Sequence, residues 1–122
     1  MNGVDVLIAD DEFGMRETLV DIFAQSGYGV EAAADGDAAL EALRRTRFDV
    51  VVMDIRMPGR DGVSVLRELG DPPPHVILMT AYANRDQVRA ARDANAFAVL
   101  NKPFRVPDLL GLVATAAGGA VA

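Results

Sequence analysis

Along the 122 residues, apolar positions alternate between two spacings in a fixed order. Val4 to Ala9 is aliphatic apart from Asp5 and reads as a strand. Arg16 to Ser26 carries Leu19, Ile22 and Phe23 at helical spacing, and Gly27 stops it. Val30 to Ala34 predicts a short strand, and Asp35-Gly36-Asp37 a turn able to cap a helix bearing Ala39, Leu40 and Leu43. Phe48 to Met53 is a nearly unbroken β-branched run, the pattern of a parallel strand buried on both faces. A turn at Gly59 to Gly62 leads into a short helix, Val63 to Leu69. Pro72-Pro73-Pro74 forces an extended connection before a strand, Val76 to Thr80. Asn84 or a near neighbour is placed to cap a helix to about Asp93, Phe97 to Leu100 is a fifth strand, and Val106 to Ala116 a last helix. Five strand-helix units without repeats predict an α/β fold, a parallel sheet with helices on both faces.

This length suits one domain, 1–122, with a core of about residues 4–112. Ala114 to Ala122, rich in Ala and Gly, reads as a frayed tail or the start of a linker. The absence of cysteine excludes disulfides and thiol chemistry and fits a reducing compartment. No signal-peptide pattern opens the chain and no apolar run is long enough to cross a bilayer, so the expectation is a soluble cytoplasmic protein. The formal charge of −6 argues against direct nucleic-acid binding, which draws on clustered Lys and Arg.

The chemistry concentrates at strand ends. Asp10 and Asp11 follow the first strand, Asp54 the third, Thr80 the fourth and Lys102 the fifth, where an open parallel sheet forms its ligand crevice. Lys102 is the only lysine in a chain that uses arginine at its eleven other basic positions. Three converging carboxylates call for a hard cation, Mg²⁺ rather than zinc, with Mn²⁺ able to replace it. Asp10 or Asp11 alone would serve as a helix cap, but capping does not account for Asp54 and Lys102 at neighbouring strand ends. His75 opens a strand at the opposite end and receives no ligand role.

On these residues the chain resembles the response-regulator receiver domain of bacterial two-component signalling, the CheY-like family, over about Val4 to Leu112. The resemblance is carried by Asp10-Asp11, by the segment from Asp54 through Met57-Pro58 to Gly62, by Thr80-Ala81 and by Lys102-Pro103-Phe104. It implies a doubly wound (βα)5 flavodoxin-like sheet with strand order 2-1-3-4-5. It makes Asp54 the phosphoacceptor for a histidine kinase or histidine phosphotransfer protein. It implies a metal held by Asp10, Asp11, Asp54 and the backbone carbonyl of Arg56, and a cis Lys102-Pro103 bond. The roles are chemically coherent: Lys102 pairs with Asp54 and then with a phosphoryl oxygen, while the Thr80 hydroxyl and Ala81 amide take another. Arginine would replace Lys102 poorly, because a planar fork does not fit where a point charge sits among carboxylates.

Two departures stand out. The family usually has an aromatic three residues before the lysine, where this chain has Val99, so signalling is expected to rely on Thr80 and on movement between Tyr82 and Asp93. Asn95 replaces a frequent glycine and is the residue best able to keep a left-handed backbone there. Arg56 and Tyr82, each two residues beyond a site residue, are bulky enough to restrict water at the pocket mouth. By resemblance, Phe13, Met15, Phe104 and Val106 form the kinase-docking patch. The fourth and fifth helices and fifth strand are the family's usual output surface, which leaves open a phosphorylation-dependent homodimer.

The expected function is Mg²⁺-dependent transfer of a phosphoryl group to Asp54, changing affinity for a downstream effector or output domain. Such a protein catalyses its own phosphorylation and slow dephosphorylation, as a signalling protein rather than a conventional enzyme. The alternative is a degenerate receiver that binds partners without phosphorylation. A haloacid-dehalogenase-type hydrolase also uses an Asp nucleophile and Mg²⁺, but it usually needs Asp-x-Asp at the first strand, and two residues beyond Asp54 stands Arg56.

Overall fold

Each aliphatic run becomes a strand because neighbouring strands satisfy its backbone while its side chains bury on one or both faces. In a computed structural model, which describes residues 3–70, 72–82 and 84–121, the order is β1 (Asp5–Ala9), α1 (Phe13–Gln25), β2 (Gly29–Ala33), α2 (Gly36–Arg45) and β3 (Val50–Asp54). There follow α3 (Gly62–Arg67), β4 (His75–Thr80), α4 (Arg85–Asp93), β5 (Ala98–Asn101) and α5 (Val106–Val121). The five strands are parallel in the order β2-β1-β3-β4-β5, the doubly wound topology expected. Ala83, inside the segment expected to move, and Ala122, at the end of the expected tail, lie outside the described residues.

The sheet separates two apolar layers. Leu7, Val51, Met53 and Leu78 point into one, closed by Leu40 of α2, Val63 and Leu66 of α3 and Ala91 of α4. Ile8, Val52, Ile77 and Met79 point into the other, against Leu19 and Phe23 of α1 and Leu109 and Val113 of α5. Every residue of β3 is buried, which is why its sequence shows no alternation. Each of its apolar side chains, Val50 to Met53, is worth roughly 1.5–3 kcal/mol on burial, which anchors the strand that carries Asp54.

Element ends differ from the sequence expectation where local signals are weak. Helix α1 starts at Phe13, three residues before Arg16, because its N-cap Glu12 makes no side-chain capping bond that would mark the start. Strand β2 spans Gly29–Ala33 instead of Val30 to Ala34, and β3 begins at Val50 and takes in Asp54. Helix α3 is shifted to Gly62–Arg67, and β5 to Ala98–Asn101. Helix α5 runs on to Val121, past Ala116, where alanines favour helix and Ala116 and Ala117 are buried. Caps legible in sequence hold their helices: Asp35 accepts from the Ala38 amide at 2.7 Å, and Asn84 from the Gln87 amide at 2.8 Å. Asn95 has φ +68°, the left-handed geometry read from its identity.

Candidate functional site

The parallel register brings β1, β3 and β4 to their C-terminal ends side by side, and the buried polar residues among those described lie there: Asp10, Asp54 and Thr80. Lys102 is delivered by the last strand. Its backbone amide donates to the Thr80 carbonyl at 2.8 Å, which continues the β4–β5 ladder and fixes where the side chain starts. The peptide bond to Pro103 is cis, as the resemblance implied.

The Lys102 ammonium reaches two carboxylates at once, Asp54 Oδ2 at 2.6 Å and Asp10 Oδ2 at 2.9 Å. The other oxygen of each is also occupied: Asp54 Oδ1 accepts from the Arg56 amide and Asp10 Oδ1 from the Glu12 amide, both at 2.9 Å. Buried carboxylates are tolerable only with such partners. Burial works against the charged ammonium, but the bonds to Asp54 and then Asp10, with their negative charges, outweigh it and raise Lys102 above its usual 10.5.

Asp11 is exposed at the rim and completes a trio with Asp10 and Asp54 whose ligand oxygens all lie within 4.8 Å of one another. Three carboxylates exceed what one ammonium balances, and their donors are all hard oxygens. The arrangement fits a divalent cation such as Mg²⁺, with Asp10, Asp11 and Asp54 as the residues that would hold it.

Thr80 is 1% exposed. Its Oγ1 accepts from the Tyr82 amide at 3.0 Å and donates to Oε1 of Gln87 at 3.3 Å. Ala81 follows at the open mouth. The Arg56 guanidinium lies over the Tyr82 ring, joining the β3–α3 loop to the β4–α4 loop. Val99 pairs with Leu78 in the sheet and packs half-buried on the α2–α3–α4 layer, so an aliphatic side chain occupies the place where the resemblance leads one to expect a ring.

The four residues expected to dock a kinase divide by exposure. Phe13 is 67% exposed, with the Arg16 guanidinium over its ring. Met15 and Phe104 pack half-buried on the α1–α5 layer, and Val106 is half-buried at the start of α5. His75 sits at the far end of β4, edge-on to Phe97.

Sequence reasoning missed two contributors. Arg16 donates to the Asp10 carbonyl at 2.8 Å and steadies the acidic loop, and Gln87 holds the Thr80 hydroxyl. Neither residue type at its position signals this, because both contacts join separate elements.

Residues 6–114 match the family described as the response regulator receiver domain. The chain is 39% identical over 107 residues to the transcriptional regulatory protein PdtaR of Mycobacterium tuberculosis, covering 86% of this chain and 52% of that protein. It is 34% identical over 106 residues to sporulation initiation phosphotransferase F of Bacillus subtilis, covering 85% of this chain and 86% of that one. Among solved structures, a CheY-like receiver domain protein from Methanospirillum hungatei superposes with a TM-score of 0.93 at 26% identity, covering 97% of this chain and 96% of its own. The receiver domain of Francisella response regulator 1452 superposes with a TM-score of 0.89 at 27% identity, covering 96% and 98%. The chain thus spans about half the length of PdtaR and most of the length of phosphotransferase F.

Proposed function

The chain belongs to the response-regulator receiver family, and on that footing we propose that Asp54 accepts a phosphoryl group from a histidine kinase or histidine phosphotransfer protein. The observation that carries this reading is the Lys102 ammonium shared between Asp54 and Asp10, with Asp11 completing the acidic trio. A nucleophilic carboxylate, a mobile counter-charge and a divalent-cation site within one crevice are what phosphoryl transfer needs.

In the transfer, a carboxylate oxygen of Asp54 bonds to phosphorus as the bond from phosphorus to the donor's imidazole nitrogen breaks, and the nitrogen keeps the electron pair. Lys102 then pairs with a phosphoryl oxygen, and the Thr80 hydroxyl and Ala81 amide take another. Asp10, Asp11 and Asp54, with the Arg56 carbonyl, would hold Mg²⁺ or Mn²⁺, which when bound would offset the negative charge of the phosphoryl oxygens. Arg56 and Tyr82 limit water at the mouth, and Phe13 with its neighbours meets the donor. Water later hydrolyses the acyl phosphate and resets the site.

The modified domain changes its affinity for an effector or output domain. One receiver domain accounts for residues 6–114, whether it stands alone or is part of a longer protein, and no described helix is long and apolar enough to cross a membrane. A phosphorylation-independent interaction module is the second reading, favoured only by Val99 in place of a ring. Intact-mass measurement with acetyl phosphate separates the two. One adduct that requires Mg²⁺ and disappears in Asp54→Ala is expected, and no adduct under any Mg²⁺ condition leaves the second reading.

A further inference from the structure

A hydroxyl carries one proton. That of Thr80 is already committed: Oγ1 donates to Gln87 Oε1 and accepts from the Tyr82 amide. A phosphoryl oxygen on Asp54 can only accept, so Thr80 can bind it only by withdrawing its proton from Gln87. The two acceptors exclude each other.

We propose that Gln87 is a positioning residue for Thr80, holding its hydroxyl away from Asp54 in the unmodified protein and giving it up when the phosphoryl group arrives. The proposal rests on Asp54 as phosphoacceptor and adds a competitor for the threonine proton. Three observations support it. Gln87 lies in the first turn of α4, where its backbone amide is pinned to the Asn84 cap at 2.8 Å, so its side chain starts from a fixed point. The bond it accepts is long at 3.3 Å, against a usual hydroxyl distance of roughly 2.7–2.8 Å, and is therefore weak. A charged phosphoryl oxygen makes a bond about twice as strong, so the proton moves toward the phosphoryl group once it is present.

The exchange also gives α4 a direct report of the site. When Thr80 turns away, the half-buried amide of Gln87 loses a partner and must reorient or take water. Val99 offers no ring to transmit the change from β5, so the path runs from strand end to helix through a single hydrogen bond.

Beryllofluoride, whose fluorines stand in for phosphoryl oxygens, tests this by calorimetry in the presence of Mg²⁺. Gln87→Leu is expected to bind it roughly two- to fivefold more tightly than wild type, the worth of one weak hydrogen bond. Thr80→Val removes the contested proton, and in that background Gln87→Leu should change nothing. The side-chain amide signal of Gln87 in NMR should shift on beryllofluoride addition in the wild type and stay put in Thr80→Val. An equal effect of Gln87→Leu in both backgrounds, weaker binding in Gln87→Leu alone, or an unmoved wild-type amide signal overturns the proposal while leaving Asp54 as acceptor. Failure of the wild type to bind beryllofluoride overturns the phosphoacceptor reading itself, and this proposal with it.

Discussion

The guanidinium carbon of Arg56 stands 4.4 Å from the centre of the Tyr82 ring, so one contact ties the loop after β3 to the loop after β4. Hydrolysis of an acyl phosphate needs water in line with the breaking bond, and on the proposed reading this pair narrows that approach. An exposed cation–π pair is worth roughly 0.5–1 kcal/mol, so Tyr82→Ala should speed dephosphorylation by about two- to fivefold. Arg56→Ala should act similarly, and the double variant should exceed neither by much, because the two side chains form one barrier. Decay of the phosphorylated mass after donor removal measures all three.

Lys102 is the counter-charge of two buried or nearly buried carboxylates. In metal-free protein, Lys102→Met should cost about 2 kcal/mol, less than for a fully enclosed pair because the Lys102 side chain keeps partial access to solvent. Urea unfolding checks this, and Mg²⁺ should recover part of the loss by replacing the missing charge.

The same residue sets an alkaline limit. Its proton is held more tightly folded than unfolded, so its contribution is full below the unfolded value of 10.5 and is lost as pH rises through the higher folded value. The stability gap between wild type and Lys102→Met should therefore stay level from neutral pH to about 10 and close above it. Denaturation midpoints across that range decide the matter.

Mg²⁺ should stabilise the fold by mass action. At about 100 times its Kd the gain is about 2.7 kcal/mol, or about 10 °C in melting temperature for a domain of this size. Asp11→Ala and Asp54→Ala should each remove most of the shift in a thermal melt, since each deletes one member of the trio.

Asn95 ends the α4 region with φ +68°. Asn95→Ala should cost about 1 kcal/mol, while Asn95→Gly should be near neutral, because alanine keeps the strained Cβ and loses the short polar side chain that makes a left-handed backbone tolerable, whereas glycine removes the Cβ itself. Chemical denaturation distinguishes them.

The sheet was legible because parallel strands buried on both faces must be uninterrupted aliphatic runs, and their C-terminal ends then locate Asp10, Asp54, Thr80 and Lys102. Strand order was available only through resemblance, since periodicity carries no information about which strands are neighbours. The start of α1 was hidden because Glu12 leaves no capping signature, and the extent of α5 because alanine alone does not mark a stop. The sharing of Lys102 with Asp10, the Arg56–Tyr82 stack and the Thr80–Gln87 bond were invisible for a common reason. Each depends on rotamers meeting between elements, whereas spacing along a chain encodes only positions within one.

The ammonium of Lys102 meets carboxylates 48 and 92 residues earlier in the chain. During synthesis the acidic ligands therefore leave the ribosome long before their counter-charge. A nascent fragment that stops short of Lys102 carries the nucleophile and all three carboxylates without the group that balances them. On the phosphoacceptor reading, the site is complete only once the last strand of the chain, which places Lys102, has joined the sheet.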